Sequence, residues 1–272
     1  MKQSPAYLME NDDEALRLDV KTDPAAVRKQ ALWCGVRPNL RVLDLGCGSG
    51  RTTSILRDMV APGGSVVGVD YSPARIAYAR KHFGGEKGID FAVRDLTKPI
   101  AGLGAFDLIW VRFVLEYYRE ESRSLVGNLK NLLKPGGYLC LLDLDNNCLG
   151  HYELPASMAV ILPKLMACLE EQCNFDAYAG RKLYSYLYDQ HYENIELEMM
   201  AHHLIYGQAR EEDIFNWFTK AEVATGKMGT LFTDYPGGFA TFLSDFRKFF
   251  LDPRRFTYTP LIMAKGMRPY AD

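Results

Sequence analysis

The chain has 272 residues, of which 48% are hydrophobic and 24% are charged, and its formal net charge is -2. This length suffices for one well-filled core that carries a sizeable insertion, and the composition is that of an ordinary globular protein. No Lys/Arg-rich block is present, so the sequence disfavours a nucleic-acid partner. The start of the chain is acidic where a signal peptide would be apolar, and no apolar run is long enough to span a membrane. We therefore expect a cytoplasmic protein with no membrane contact.

Buried strands and helices alternate along the first half of the chain. Apolar runs predict strands at 41–46, 65–70, 89–95, 106–112 and 138–145. Helical spacing predicts helices at 24–36, 50–60, 72–83 and 122–133. Near-continuous apolar strands separated by helices indicate a parallel sheet covered on both faces. The predicted fold class is α/β, with a doubly wound, mostly parallel, seven-stranded sheet.

The second half of the chain breaks this alternation. We predict an apolar helical stretch at 154–173 that is interrupted by Pro163, helices at 180–191, 211–225 and 237–250, and strands at 195–207 and 256–266. The predicted organisation is N-terminal helices at 1–36, a ligand-binding core at 37–145, helical cap insertions at 146–178 and 208–252, and the remainder of the sheet at 179–207 and 253–272.

The strongest chemical signal is the segment VLDLGCGSG at 42–50, a buried strand that ends in a glycine loop and opens into a helix. Glycines let the chain turn tightly and let its backbone approach a ligand at the carboxyl edge of the sheet. Gly46, Gly48 and Gly50 are followed by Arg51, where a dinucleotide-binding fingerprint requires a third glycine after two intervening residues, so a nicotinamide cofactor is disfavoured. Asp44 suits the positively charged amino group of an amino-acid ligand.

Acidic residues also follow the next two strands. Asp70, followed by Tyr71, can accept hydrogen bonds from both hydroxyls of a ribose, or it is a solvated turn residue. Asp95 can accept from an adenine amine while Leu96 packs on the ring, or Asp95 has a capping or turn role.

Together these motifs resemble those of the class I S-adenosylmethionine-dependent methyltransferases, especially the small-molecule branch. The resemblance rests on DLGCGSG at 44–50, Asp70, RDL at 94–96, FDLIWVR at 106–112 and LKPGG at 133–137, and the terminal FTYTPLIMAKG resembles the family's seventh strand. It implies an enzyme that uses S-adenosylmethionine as methyl donor and releases S-adenosylhomocysteine.

The resemblance also implies roles for individual residues in the loop and at the strand tips. Gly46 and Gly48 would lie against the methionine part of the cofactor, Asp70 would hold the ribose, and Asp95 with Leu96 would flank the adenine.

Two arginines and the N-terminal segment complete the expected cofactor site. Arg75 stands where the family often has a methionine near adenine, so it either stacks its guanidinium plane or is a solvated helix charge. Arg112 ends the fourth strand, where the family borders the sulfonium, although a capping or ion-pair role is the alternative. Related enzymes cover the cofactor with an N-terminal segment, which implies contacts from Tyr7 and from Arg17, the latter to the methionine carboxylate.

No catalytic residue and no metal ligand set is predicted. His151 and Glu153 follow the fifth strand, near the expected transfer site, yet loop polarity explains them equally well. His202 and His203 are adjacent on a predicted strand, so we expect them on opposite faces, with at most one entering a cavity.

The inserted helices are rich in Tyr, Phe, Met and Leu, which favours a small organic acceptor in an apolar pocket. Cap aromatics such as Tyr152, Phe215 and Trp217 are expected to affect acceptor turnover. Three other functions stay open: a protein or RNA methyltransferase, a nicotinamide oxidoreductase, and a non-catalytic S-adenosylmethionine-binding protein.

Overall fold

The computed structural model describes residues 14–226 and 228–270. The strands are β1 (Arg41–Leu45), β2 (Ser65–Asp70), β3 (Ile89–Val93), β4 (Phe106–Arg112), β5 (Leu133–Leu144), β6 (His151–Tyr152), β7 (Glu193–Tyr206) and β8 (Phe256–Met267). The helices are α1 (Glu14–Lys21), α2 (Pro24–Trp33), α3 (Arg51–Val60), α4 (Pro73–Phe83), α5 (Ser122–Lys130), α6 (Ala156–Cys173), α7 (Leu183–Asp189), α8 (Glu211–Gly226) and α9 (Gly238–Leu251).

The strands form one mixed sheet in the order β3-β2-β1-β4-β5-β8-β6, with β7 also paired to β8. Strands β1 to β5 pair in parallel, whereas β8 runs antiparallel to β5, β6 and β7. This arrangement confirms the expected α/β class and doubly wound sheet. The order of the strands reverses at β1, and ligands bind at such switch points, outside the carboxyl ends of the strands.

The sheet has eight strands in the described part of the chain, whereas seven were expected. The additional strand is β6, only two residues long, in which His151 pairs with Thr257 and Tyr152 with Phe256. So short a pairing leaves no periodic pattern in the sequence. Strand β5 also begins earlier than predicted, because Leu133 pairs with Phe106 before the register shifts at the turn residues.

Alternate side chains of the central strands enter two separate cores, as expected for a sheet with helices on both faces. On one face, Val42 and its neighbours pack with Leu56 of α3. On the other face, Leu43 and its neighbours pack with Leu125 of α5 and Leu183 of α7.

The two inserted segments pack against each other as a separate layer. Buried apolar side chains of α6, α8 and α9 form one cluster that also includes Ile205 of β7. Pro163 lies inside α6, so the predicted interruption does not end that helix. None of the described helices is both long enough and apolar enough to span a bilayer.

Candidate functional site

A cavity opens at the switch point of the sheet, beyond the carboxyl ends of β1, β2 and β4. The segment that follows β3 also borders it. We call it the polar cavity, and its lining includes Leu18, Lys21, Gly46, Cys47, Gly48, Asp70, Tyr71, Arg75, Leu96, Arg112, Val114 and Tyr117. Seven of the residues that the sequence analysis selected therefore lie together around this cavity: Gly46, Gly48, Asp70, Tyr71, Arg75, Leu96 and Arg112.

The glycine loop leaves no room for side chains at two positions on this cavity. Gly46 has φ +74°, and a Cβ atom there would lie 2.4 Å from Val114 Cγ2. Gly48 has φ +54°, and its Cβ would lie 2.9 Å from Leu18 Cδ1. Positive φ and close approach both require glycine. The backbone therefore borders the cavity directly, which is what close contact with a ligand demands.

Asp70 fixes the loop to the tip of β2. The Gly48 backbone N–H donates to one carboxylate oxygen and the Ser72 N–H to the other, each at 3.0 Å. The Asp70 side chain is 5% exposed, and Arg75 Nε lies 3.5 Å from its carboxylate. Each oxygen of a carboxylate accepts more than one hydrogen bond, so Asp70 keeps acceptor capacity on two neighbouring atoms.

Arg75 is buried on the polar cavity, which excludes the alternative of a solvated helix charge. Its guanidinium carbon lies 4.8 Å from the centre of the Tyr71 ring. This distance is that of a cation–π contact, so Arg75 and Tyr71 line the cavity as a packed pair beside Asp70.

Arg112 and Asp44 lie at the centre of the sheet edge. Arg112 lines the polar cavity and donates from Nε to Gln30 Oε1 at 2.9 Å, and burial lowers its pKa to about 10. Asp44 does not line the cavity. It accepts from Thr53 Oγ1 at 2.6 Å, and burial raises its pKa to about 7. A direct contact between Asp44 and a bound amino group stays a prediction.

Arg17 and Asp95 are bonded elsewhere and do not line the polar cavity. The Arg17 guanidinium donates to both carboxylate oxygens of Glu14, at 2.7 and 2.8 Å, and to Asn216 Oδ1 at 3.0 Å. Asp95 accepts from Thr97, and its other oxygen lies 2.8 Å from Lys98 Nζ. Their expected cofactor contacts stay predictions, and Tyr7 lies outside the described residues.

Lys21 is the cation of α1 that does line the polar cavity, and the sequence analysis missed it. Lys21 stands four residues after Arg17, on the same face of the helix. This helical spacing is the sequence signal that could have identified it. Burial, together with Arg17 and Lys220, holds the pKa of Lys21 well below its usual range.

A second, apolar cavity lies between the cap helices and shares Tyr117 with the polar cavity. We call it the apolar cavity. Its lining consists of Tyr117, Asn147, Cys148, Leu162, Leu165, Met166, Leu169, Phe175, Trp217, Lys220, Ala221, Ala224, Phe242 and Phe246. Both inserted segments contribute to it. Of the cap aromatics selected from the sequence, only Trp217 lines it, since Tyr152 is 65% and Phe215 56% exposed.

The adjacent histidines lie on one side of β7, which overturns the expected alternation. The register between β7 and β8 shifts between Ala201 and His203, and the ring centres of His202 and His203 are 4.2 Å apart. A β-bulge inserts a residue and redirects the side chains that follow it. Burial lowers the pKa of both rings, so both are neutral at pH 7.

These rings do not belong to a metal centre in the part of the chain that the structure describes, since no group of three potential ligands occurs there. His151 lies beside Trp217, with ring centres 5.2 Å apart, and burial lowers its pKa to about 4. His151 Nδ1 lies 2.9 Å from Thr257 Oγ1, which is consistent with a structural role in the cap.

Comparison with known proteins settles the family. A family model described as "Methyltransferase domain" matches residues 37–204, more than half of the chain. The chain belongs to this methyltransferase-domain family. The resemblance inferred from the motifs is confirmed, and S-adenosylmethionine is the cofactor that this membership assigns.

Curated relatives of this methyltransferase-domain protein match over part of their length. A trans-aconitate 2-methyltransferase of Delftia acidovorans is 34% identical over 46% of this chain and 46% of its own. A juvenile hormone acid O-methyltransferase of Drosophila melanogaster is 36% identical over 37% of this chain and 35% of its own. The chain thus spans less than half the length of either relative.

A solved structure extends the likeness of fold beyond the matched core. A methyltransferase from Bacillus halodurans, described as putative, superposes with a TM-score of 0.60 at 17% identity, over 90% of this chain and 99% of that one. At this identity the match shows the fold alone, and it includes the region of the cap.

Proposed function

We propose that this protein transfers a methyl group from S-adenosylmethionine to a small organic acceptor. The observation that carries the proposal is the pair of adjoining cavities that share Tyr117: a polar one at the strand ends and an apolar one under the cap. A two-substrate transfer requires both reactants to be held side by side with reacting atoms aligned.

The polar cavity fits the chemistry of the cofactor. Gly46 and Gly48 present bare backbone at the cavity, where an added Cβ atom would collide with Val114 and Leu18, and bare backbone suits close packing against the methionine part. Asp70 offers two acceptor oxygens to a ribose diol, and Leu96 with the Arg75–Tyr71 pair suits a flat purine.

Lys21 takes the role that the sequence analysis gave to Arg17. It lines the polar cavity with the glycine loop, whereas Arg17 is bonded to Glu14 and Asn216. We therefore assign the methionine carboxylate to Lys21, because a carboxylate within reach favours the charged form of the lysine side chain.

When bound, S-adenosylmethionine supplies a methyl group on a sulfonium, which is already activated for transfer. The tasks left to the chain are to orient the acceptor and to keep water away. The cap performs both, since α6, α8 and α9 enclose the apolar cavity next to Tyr117. An ionised acceptor needs no general base, so the proposal does not require one.

A small acceptor is favoured over a protein or RNA. The apolar cavity lies within the cap and has an apolar lining of the kind that holds small molecules. The net charge of -2 and the lack of a Lys/Arg-rich block in the sequence disfavour RNA as the acceptor. The names of the two curated relatives, which refer to trans-aconitate and to juvenile hormone acid, are consistent with a small organic acceptor.

The proposal is tested in two steps. Isothermal titration calorimetry with S-adenosylhomocysteine measures the cofactor site, for which we expect saturable binding at a single site. Methyl-labelled S-adenosylmethionine is then incubated with the protein and a panel of small acids, phenols and amines, and extraction of labelled product identifies the acceptor. Cofactor binding without transfer to any member, while an added protein or RNA is labelled, contradicts the small-molecule acceptor.

A further inference from the structure

One end of the apolar cavity carries a cation. Lys220, on α8, lines the cavity together with Asn147, Cys148 and the shared Tyr117. Its ammonium lies 5.2 Å from the centre of the Trp217 ring. Within residues 14–226 and 228–270, no carboxylate lies at ion-pair distance from it. The other positive group nearby on α1, Arg17, already has Glu14 as a counterion.

Two lysines and a buried acid lie near the histidine pair. Burial is the main cause that lowers the pKa of His202 and His203, and the positive charges of Lys220 and Lys21 lower it further. The acidic group near these lysines is Glu116, whose carboxylate accepts a hydrogen bond from Asn147 Nδ2 at 2.7 Å. Burial raises the pKa of Glu116, so its negative charge is disfavoured. Because the methionine carboxylate is assigned to Lys21, Lys220 is the cation that remains for one further negative charge.

The rest of the lining is hydrocarbon. Side chains of α6 and α9, including Leu165, Met166 and Phe246, surround the space beyond Lys220. Such a lining stabilises an apolar body by removing it from water. Lys220 is half-buried at this lining, and an anion beside its ammonium gains from the attraction between opposite charges.

We propose that the acceptor is an amphiphilic carboxylate, with its charged end at Lys220 and its apolar body among α6, α8 and α9. This inference rests on the proposed function and names its substrate class. A carboxylate is favoured over a phosphate, because one ammonium balances a single negative charge whereas a phosphate carries about two.

The test uses the S-adenosylhomocysteine complex and decanoate as probe, with calorimetric binding as the readout. We expect saturable decanoate binding, and at least about tenfold weaker binding of decanol and of decyltrimethylammonium, as for loss of one hydrogen bond to a charged group. Acetate, which has the charge without the apolar body, should bind more than about a hundredfold more weakly than decanoate, because it buries several methylene groups fewer.

Lys220→Met isolates the charge, since it keeps an unbranched apolar stem. We expect decanoate binding to weaken at least about tenfold while S-adenosylhomocysteine affinity stays within about twofold. Lys164→Met is the matched control, because Lys164 is exposed on α6, a helix that lines the same cavity. That variant should bind both ligands like the wild type.

The outcomes separate the two proposals. Absence of S-adenosylhomocysteine binding contradicts the proposed function. Normal cofactor binding with equal affinity for decanoate and decanol, or with no decanoate binding, overturns the amphiphilic carboxylate alone. Tighter binding of decyl phosphate than of decanoate also overturns it. If Lys220→Met does not fold, Lys220→Arg is used instead, because it keeps the positive charge. This variant should still bind decanoate more tightly than decanol. Loss of that preference contradicts the inference.

Discussion

Replacing Asp70 by Asn tests the centre of the cofactor site with little change of shape. Both carboxylate oxygens accept a backbone N–H at 3.0 Å, from Gly48 and from Ser72. An amide keeps one acceptor oxygen and places a donor against the other N–H. The loss of one hydrogen bond to a charged group costs about 1.5–3 kcal/mol of unfolding free energy. Arg75 also loses the negative charge 3.5 Å from its Nε, which adds to the loss.

The same substitution should weaken cofactor binding. If Asp70 accepts from both ribose hydroxyls, one of the two bonds is lost in Asp70→Asn, which lowers affinity by about 10- to 150-fold. Calorimetry with S-adenosylhomocysteine measures this, after urea unfolding has shown that the variant is folded at the assay temperature.

Asp95→Asn is the matched control on the next strand tip. Both oxygens of Asp95 are engaged, by Thr97 and by Lys98, in a partly exposed turn. We therefore expect cofactor affinity within about twofold of wild type, because exposed pairs contribute little. Unchanged affinity in folded Asp70→Asn would refute the ribose assignment, and a large loss in Asp95→Asn would restore the adenine contact expected from the sequence.

Further predictions concern the glycine loop, the cap and a buried acid. Gly48→Val should abolish S-adenosylhomocysteine binding in calorimetry, whereas Gly102→Val, at φ +80° with nothing within 4 Å of its Cβ, should cost stability but leave binding intact. Trp217→Leu should lower acceptor turnover and leave cofactor affinity unchanged. Phe215→Leu, at a side chain that is 56% exposed, should alter neither quantity. Equal effects of the two substitutions on acceptor turnover contradict the cap assignment. Because burial raises the folded-state pKa of Asp44 to about 7, the folded state holds an extra proton below that pH, and stability is lost as pH rises towards it. Asp44→Asn should therefore gain stability relative to wild type as pH rises from about 4 to about 7 in urea unfolding, and a constant difference contradicts the raised pKa.

The sequence by itself determined the parts of this protein that depend on local pattern. Alternating apolar strands and helices predicted the parallel sheet, and the glycine loop with Asp70 at the next strand tip predicted a ligand at its carboxyl edge. The sheet is confirmed and the polar cavity lies at that edge, because the residues involved are neighbours in the chain or occupy equivalent strand ends, which the topology brings together. The bound ligand itself stays a prediction.

Only the tertiary structure decided which side chains of the other elements reach the two cavities. Arg17 is bonded to Asn216, 199 residues away in the chain, and Lys21 is the residue of α1 with a positive side chain that lines the polar cavity. A β-bulge places His202 and His203 on one side of β7, against the alternation that an unbroken strand imposes. Lys220 reaches the end of the apolar cavity through the packing of α8 on the cap. Each of these results from contacts between distant segments, and local periodicity carries no information about such contacts.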